Sequence, residues 1–268
     1  MKFIYFFLFS CLAFTACNNT DNQRESSSTD TLRYHYESYI LPSKHIVDNE
    51  GEKDTTYFKA HYPIFENGEI NTLVAKHFTA NNNPDAHYSS IEEEATAFIE
   101  NFDDFIKMDE YPRVWFTDLQ AKVIQNTPNY LALSVETSDY TGGAHGNYAT
   151  LFFNYDVVKK DTIGLDAIIP TTKEQALNRI AEKVFRKQEG LTVEQSLDES
   201  YFFEDSTFHL NSNFTLTPKG LLFLYNVYEI KPYAAGTTEL LIPYEQLDSL
   251  MTPEAKLIRT QLSQINNN

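Results

Sequence analysis

The sequence predicts an α+β fold, with antiparallel sheets and helices packed on them, arranged as two small subdomains in one body. Three observations lead there. Stretches in which apolar side chains alternate every second residue are interleaved with stretches in which they recur every three to four residues. Neighbouring strand candidates are repeatedly joined by short turns rich in Gly, Pro and Asn, a connection open to antiparallel strands and closed to parallel ones. Beyond the N-terminal segment about 230 residues remain, enough to bury a core without cross-links.

The body opens at Leu32, where Tyr34, Tyr36 and Ile40 suit a pleated surface, and a second strand covers about Thr55 to Tyr62. After Pro63, the residues Ile70, Leu73, Val74 and Phe78 fall at helical spacing. A longer helix runs from Ser90 to about Lys107. Ser90 and Glu93 form a capping box, Glu92, Glu93 and Glu94 favour the positive helix end, and Ala95, Phe98, Ile99, Phe102 and Ile106 make the buried stripe. Val114 to Gln125, Tyr130 to Tyr140 and Asn147 to Asp156 read as successive strands, the first two joined at Asn126-Thr127-Pro128-Asn129. A helix from Thr172 to about Glu189 buries Ala176, Ile180, Ala181, Val184 and Phe185 and stops at Gly190. Strands at Asn213 to Leu216 and Leu221 to Val227 flank the turn Thr217-Pro218-Lys219-Gly220. Thr237 to Ile242 is the last strand; a short helix follows Pro243, and residues 253–268 read as a polar tail. Residues 32–135 and 136–252 are the expected subdomains.

The first sixteen residues read as a signal peptide: Met1-Lys2, an apolar run from Phe3 to Phe14, then Thr15-Ala16 before Cys17. The run spans roughly 18 Å as a helix, short of the ~30 Å hydrocarbon core. Small residues directly before a cysteine resemble a lipobox, which implies cleavage before Cys17 and acylation, including palmitate, on that residue. Phe14 departs from the usual Leu, and an ordinary secretory peptide is the alternative. Residues 18–31 are polar, with a Ser26-Ser27-Ser28 run, and form an expected tether reaching roughly 20 Å. Asn18 in place of Asp after the cysteine favours the outer membrane in a two-membrane host. Cys17→Ser is accordingly expected to leave an uncleaved, unlipidated precursor, seen as a heavier band and a mass lacking acyl chains.

Cys11 and Cys17 are the two cysteines of the chain, so the body has no disulfide, no thiol nucleophile and no cysteine-ligated metal. The histidines show no close metal spacing, no nucleophile elbow or phosphate loop is present, and no cofactor is expected. The acidic pairs Asp103-Asp104 and Asp109-Glu110 and the run Glu92-Glu93-Glu94 read as solvated faces. With 21 Lys+Arg against 38 Asp+Glu the formal charge is −17, and loss of Lys2 with the signal peptide makes it −18. Such a surface repels nucleic acid and anionic lipid. It either serves solubility or draws in a cationic partner.

Two loops stand out. In Tyr140-Thr141-Gly142-Gly143-Ala144-His145-Gly146 the glycines permit positive φ and close backbone approach. His145 is either a ligand or catalytic group or a residue that shapes the turn. In Tyr228-Glu229-Ile230-Lys231-Pro232-Tyr233-Ala234-Ala235-Gly236, Tyr228, Tyr233 and Gly236 form a second loop in which Glu229 is placed to meet Lys231 or a cationic partner. The seventeen tyrosines also suit sugar stacking or, alternatively, sheet packing.

Taken in order with Phe214-Thr215-Leu216-Thr217-Pro218-Lys219-Gly220-Leu221, these loops resemble the C-terminal domain family of the anti-sigma factor RsiV, a domain of unknown function. The preceding part, with His61-Tyr62-Pro63-Ile64, looks like the small N-terminal domain that accompanies this module in RsiV and in the deacetylase PdaC. The resemblance covers about residues 32–250. It implies recognition at the cell envelope, since RsiV uses this region to bind lysozyme, a basic protein suited to an acidic surface. The resemblance includes neither a sigma-binding segment nor a deacetylase catalytic domain, so neither of those activities is expected. The expectation is a non-catalytic envelope lipoprotein that binds a protein partner, with an envelope glycan-binding or glycan-modifying protein as the alternative.

Overall fold

The computed structural model describes residues 32–49, 51–79, 88–108, 113–198 and 200–265; Cys17, the signal peptide and the tether lie outside the described residues. Strands β1 (Tyr34–Asn49) and β2 (Glu52–Phe65) form a long hairpin. Gly51 turns it at φ +95, with its N–H donated to Asp48 Oδ1 at 2.9 Å. Both strands outrun their expected limits near Ile40 and Thr55. Their register slips between Pro42 and Ile46, where proline offers no N–H. Thr55 Oγ1 lies 3.0 and 2.8 Å from the Ser43 and His45 carbonyls within that slip.

Helices α1 (Gly68–Thr79) and α2 (Ile91–Phe105) lead to β3 (Phe116–Asn126), which pairs with β2 in parallel. This corrects the expectation of antiparallel pairing at one place. A connection holding two helices is long enough to return the chain to the same end of the sheet. Ser90 caps α2 by accepting the Glu93 N–H at 3.2 Å, while the Glu93 carboxylate reaches back one residue further, to the N–H and hydroxyl of Ser89 at 2.7 and 2.6 Å. Those two donors hold the Glu93 carboxyl below its ordinary range. Ala95, Ile99 and Phe102 are buried along the expected stripe, Phe98 and Ile106 are half-buried, and Ile91 joins the buried face. Glu94, expected on the solvated face, is 4% exposed.

β4 (Tyr130–Tyr140), β5 (Asn147–Asp156) and the short β6 (Asp161–Thr162) continue the sheet in antiparallel fashion, giving six strands in the order β1-β2-β3-β4-β5-β6. Helices α3 (Leu165–Ile168) and α4 (Glu174–Glu189) follow, α4 ending at Gly190 with φ +71 as expected. β7 (Phe214–Leu216), β8 (Gly220–Tyr225) and β9 (Thr238–Pro243) make a second, antiparallel sheet. It is succeeded by α5 (Tyr244–Leu247) and α6 (Pro253–Ile265). The stretch read as a polar tail is therefore a helix through residue 265. Its Ala255, Ile258 and Leu262 are buried at helical spacing, which pins α6 to the core.

The alternation of β4 divides the interior. Leu131, Leu133 and Val135 face a core shared with α1, α2 and β2, whereas Tyr130 and Ala132 face a second core built from α4, α6 and the small sheet. The boundary expected between residues 135 and 136 falls inside β4, and the large sheet takes strands from both sides of it.

Side chains join the two sheets. β5 lies beside β4 on one edge and meets β6 only at Tyr155 and Asp156, so the rest of its outer edge needs partners. Asn213 accepts the Phe152 N–H at 2.9 Å and donates to the Thr150 and Leu224 carbonyls at 2.8 and 3.0 Å. Asn226 accepts the Thr150 N–H at 2.7 Å. Deeper in, Tyr130 donates to Asn154 Oδ1 at 2.5 Å, accepts the Leu216 N–H at 3.0 Å and lies 2.9 Å from Thr215 Oγ1. Complete burial pushes its hydroxyl well above the ordinary phenol range, so it remains a donor.

Candidate functional site

The two loops singled out in the sequence meet at one end of the large sheet. The first spans 141–146 between β4 and β5, with Gly142 at φ +102 and Gly143 at φ +101, conformations that other residues rarely adopt. Arg113 Nη1 and Tyr140 Oη donate to the Gly143 carbonyl at 3.3 and 3.0 Å, fixing the loop against the start of β3. Thr141, Gly142, Gly143, Ala144 and His145 are exposed. At the loop's base Asp139 is pushed above the ordinary carboxyl range by burial, against the opposing hydrogen bond from the Asn147 side chain.

The second loop is anchored at both ends of 226–236. Glu229 does not meet Lys231. Its carboxylate instead accepts the Asn226 N–H and the Asn211 amide, each at 2.7 Å, and closes the turn that follows β8. Lys231 pairs with Glu189 on α4 at 2.7 Å, with side chains 18% and 17% exposed, and lies over the Tyr201 ring at 5.6 Å. Tyr201 donates to the same carboxylate at 2.9 Å, and burial, reinforced by Glu189, pushes its hydroxyl up to about 12. Gly236, at φ +71 and ψ −161, turns the chain into β9.

Between these anchors three rings gather. His145 stacks on Tyr233 with centroids 4.3 Å apart and lies 6.2 Å from Tyr228; Tyr228 and Tyr233 are 5.5 Å apart, and Tyr148 meets Tyr233 edge-on at 5.7 Å. His145 Nδ1 is 2.8 Å from the Gly146 carbonyl, which can only accept, so this nitrogen carries the proton. Nε2 lies 3.1 Å from Tyr228 Oη, a group able to donate or accept. Both ring nitrogens are engaged in holding the loops together. The hydrogen bonds of His145 go to a carbonyl and a phenol, with no carboxylate among them.

Tyr228 is one of four non-glycine residues with positive φ among the described residues, with Lys160, Asp205 and Ser206, and the aromatic one of the four. It sits at φ +65 in the turn closed by the Glu229 N–H to the Asn226 carbonyl at 3.2 Å, where a bulky residue is disfavoured and Gly or Asn is usual. Yet its side chain is 53% exposed and repays the strain with little burial. The sequence offered a signal for the aromatic residues but none for this backbone conformation.

These observations define an α+β protein whose six-stranded mixed sheet and small second sheet are stapled by asparagine and tyrosine side chains, with an aromatic loop surface at the junction. Residues 49–148 match the family model described as deacetylase PdaC, and residues 165–245 match the one described as a protein of unknown function (DUF3298). The 141–146 loop lies within the former and the 228–236 loop within the latter, so the surface is composite; the sequence reading had placed both loops in one domain. A DUF3298 family protein from Pseudomonas aeruginosa PAO1 shares the fold with a TM-score of 0.69 at 19% identity, over 85% of this chain and 97% of that one. A member of the same family from Bacteroides fragilis NCTC 9343 does so with 0.63 at 23%, over 88% and 99%. Among curated proteins, none matches.

Proposed function

We propose that this protein is a non-catalytic recognition protein of the bacterial cell envelope, held to the outer membrane by lipid on Cys17. Its surface of His145, Tyr228 and Tyr233 docks a basic protein partner of the lysozyme kind. The single observation that carries the reading is Tyr228, exposed and held in a left-handed conformation beside two further rings. Aromatic anchors presented on rigid loops are the side chains on which binding energy concentrates. The formal charge of −17 adds long-range attraction for a cationic partner and speeds encounter at low salt. His145 is hydrogen-bonded to the Gly146 carbonyl and to Tyr228 and so ties the two loops together, which supports a recognition role. The likeness of the loops to the lysozyme-binding region of RsiV points the same way.

Calorimetry of the detergent-solubilised full chain against a panel of animal-type lysozymes, at low and at high salt, tests this. Binding is expected, weakening as salt rises, and Tyr228→Gly should weaken it by about tenfold or more. Glycine suits the left-handed turn but also removes the Tyr228 bond to His145, so the thermal midpoint is measured beside binding, and Tyr228→Asn, which also suits that backbone conformation, should weaken binding equally. Absence of binding across the panel at low salt would remove the lysozyme reading.

A further inference from the structure

On the face of the large sheet opposite α1 and α2, the outward side chains of β2 to β5 form a second site that the loop surface does not use. In one register Tyr57, Phe116 and Tyr140 lie side by side on adjacent strands, their rings near-parallel with centroids 6.0 and 6.3 Å apart. In the next register Lys59, Asp118, Ser138 and Tyr148 follow one another across the strands, and in the one after that His61, Gln120, Glu136 and Thr150. Ser138, the smallest of these, leaves a gap between the Phe116 and Tyr57 rings on one side and Tyr148 on the other. The gap is a concavity of about 360 Å³ with Asp118, Gln120 and Glu136 along its floor. That volume is within the range of small-molecule sites.

The charge of this floor decides the ligand. Asp118 is paired with Lys59 at 3.2 Å and Glu136 with Lys122 at 3.0 Å, so each carboxylate has its counter-ion and the site is locally neutral. A free cation gains little there, and an anion less. The floor is nonetheless dense in hydrogen-bonding groups: two carboxylates that retain acceptor capacity, the Gln120 amide, and the hydroxyls of Ser138 and Thr150. A ligand that is neutral, carries many hydroxyls and has a flat apolar face fits this combination, because the face packs on aromatic rings while the hydroxyls meet the floor. We propose that the concavity is a subsite for a neutral pyranose ring of an oligosaccharide. Tyr148, which lines it, also meets Tyr233 of the loop surface edge-on. A glycan seated here lies beside the protein-docking loops, yet the two sites use different side chains.

Saturation-transfer NMR and calorimetry on the full chain, with chitotetraose and cellotetraose as probes and a tri-arginine peptide as the cationic arm, test the assignment. At least one tetrasaccharide is expected to bind. Ser138→Phe, which places a ring in the gap on the solvent side of the sheet, should weaken it about tenfold or more with an unchanged thermal midpoint. Phe116→Ala should do the same by removing one wall. Tyr228→Gly should leave sugar binding intact, so this site and the protein-docking surface stand or fall separately. Failure of both tetrasaccharides to bind at millimolar concentration, parental binding by Ser138→Phe, or occupancy of the gap by the arginine peptide in place of sugar would each overturn it.

Discussion

Asn213→Ala is expected to destabilise the protein by about 1–3 kcal/mol, a drop readable in denaturant midpoints at unchanged m-value. Asn213 is 9% exposed and does the work of a missing strand. It takes the Phe152 N–H and caps the Thr150 and Leu224 carbonyls, so one side chain satisfies three backbone groups at the seam between β5 and the second sheet. Alanine leaves the Phe152 N–H without its acceptor at the seam, while the Thr150 and Leu224 carbonyls each lose one of two donors and keep the Asn226 and Asn211 amides at 3.1 and 2.7 Å; one buried unpaired group costs on the order of 1–3 kcal/mol. Asn226→Ala should cost less, because its site is half-buried and water replaces part of what it supplies. Equal losses in the two variants would mean that the seam is wetter than its geometry indicates.

Tyr130→Phe is expected to cost about 2–3 kcal/mol although it removes a single oxygen atom. The phenyl ring keeps the same buried volume, so packing is nearly unchanged. What is lost is the hub between sheets: the Leu216 N–H loses its acceptor and Asn154 Oδ1 loses its donor, both in the interior. Asn154 also donates to the Phe214 carbonyl at 2.7 Å, so its amide cannot turn over to compensate without breaking that bond. A double-mutant cycle of Tyr130→Phe with Thr215→Val should show strong coupling, since Thr215 Oγ1 lies 2.9 Å from the same hydroxyl. Additivity in that cycle would contradict the hub.

Local chemistry explains which features the sequence made legible. The N-cap Ser90, the stop at Gly190 and the positive-φ glycines Gly142 and Gly143 depend on neighbours a few residues away and were legible from residue type; Gly146 is not at positive φ and instead allows the Asp139 carbonyl to approach closely. The parallel pairing of β2 with β3 depends on where a long helical connection returns the chain, which no local pattern encodes. The helix α6 escaped because Ala255, Ile258 and Leu262 are diluted by polar neighbours. Asn213 and Asn226 read in sequence as the ends of strands, lie just outside β7 and β8, and act as edge caps only once two sheets meet. Of the candidate site, the aromatic residues were visible. Glu229 was assigned to Lys231 because the two are close in sequence, whereas Lys231 is claimed by Glu189, 42 residues away. Phe116, Asp118 and Gln120 read as the ordinary outer face of a strand, and their joint concavity arises from cross-strand register.

The central claim, that the His145, Tyr228 and Tyr233 surface docks a basic protein, is tested most directly by a hydrogen-exchange footprint of the full chain with and without a saturating animal-type lysozyme. Added protection is expected in 141–146 and 226–236, together with unchanged exchange in α6 on the far core. Protection that falls elsewhere while both loops exchange as in the free protein would contradict the account.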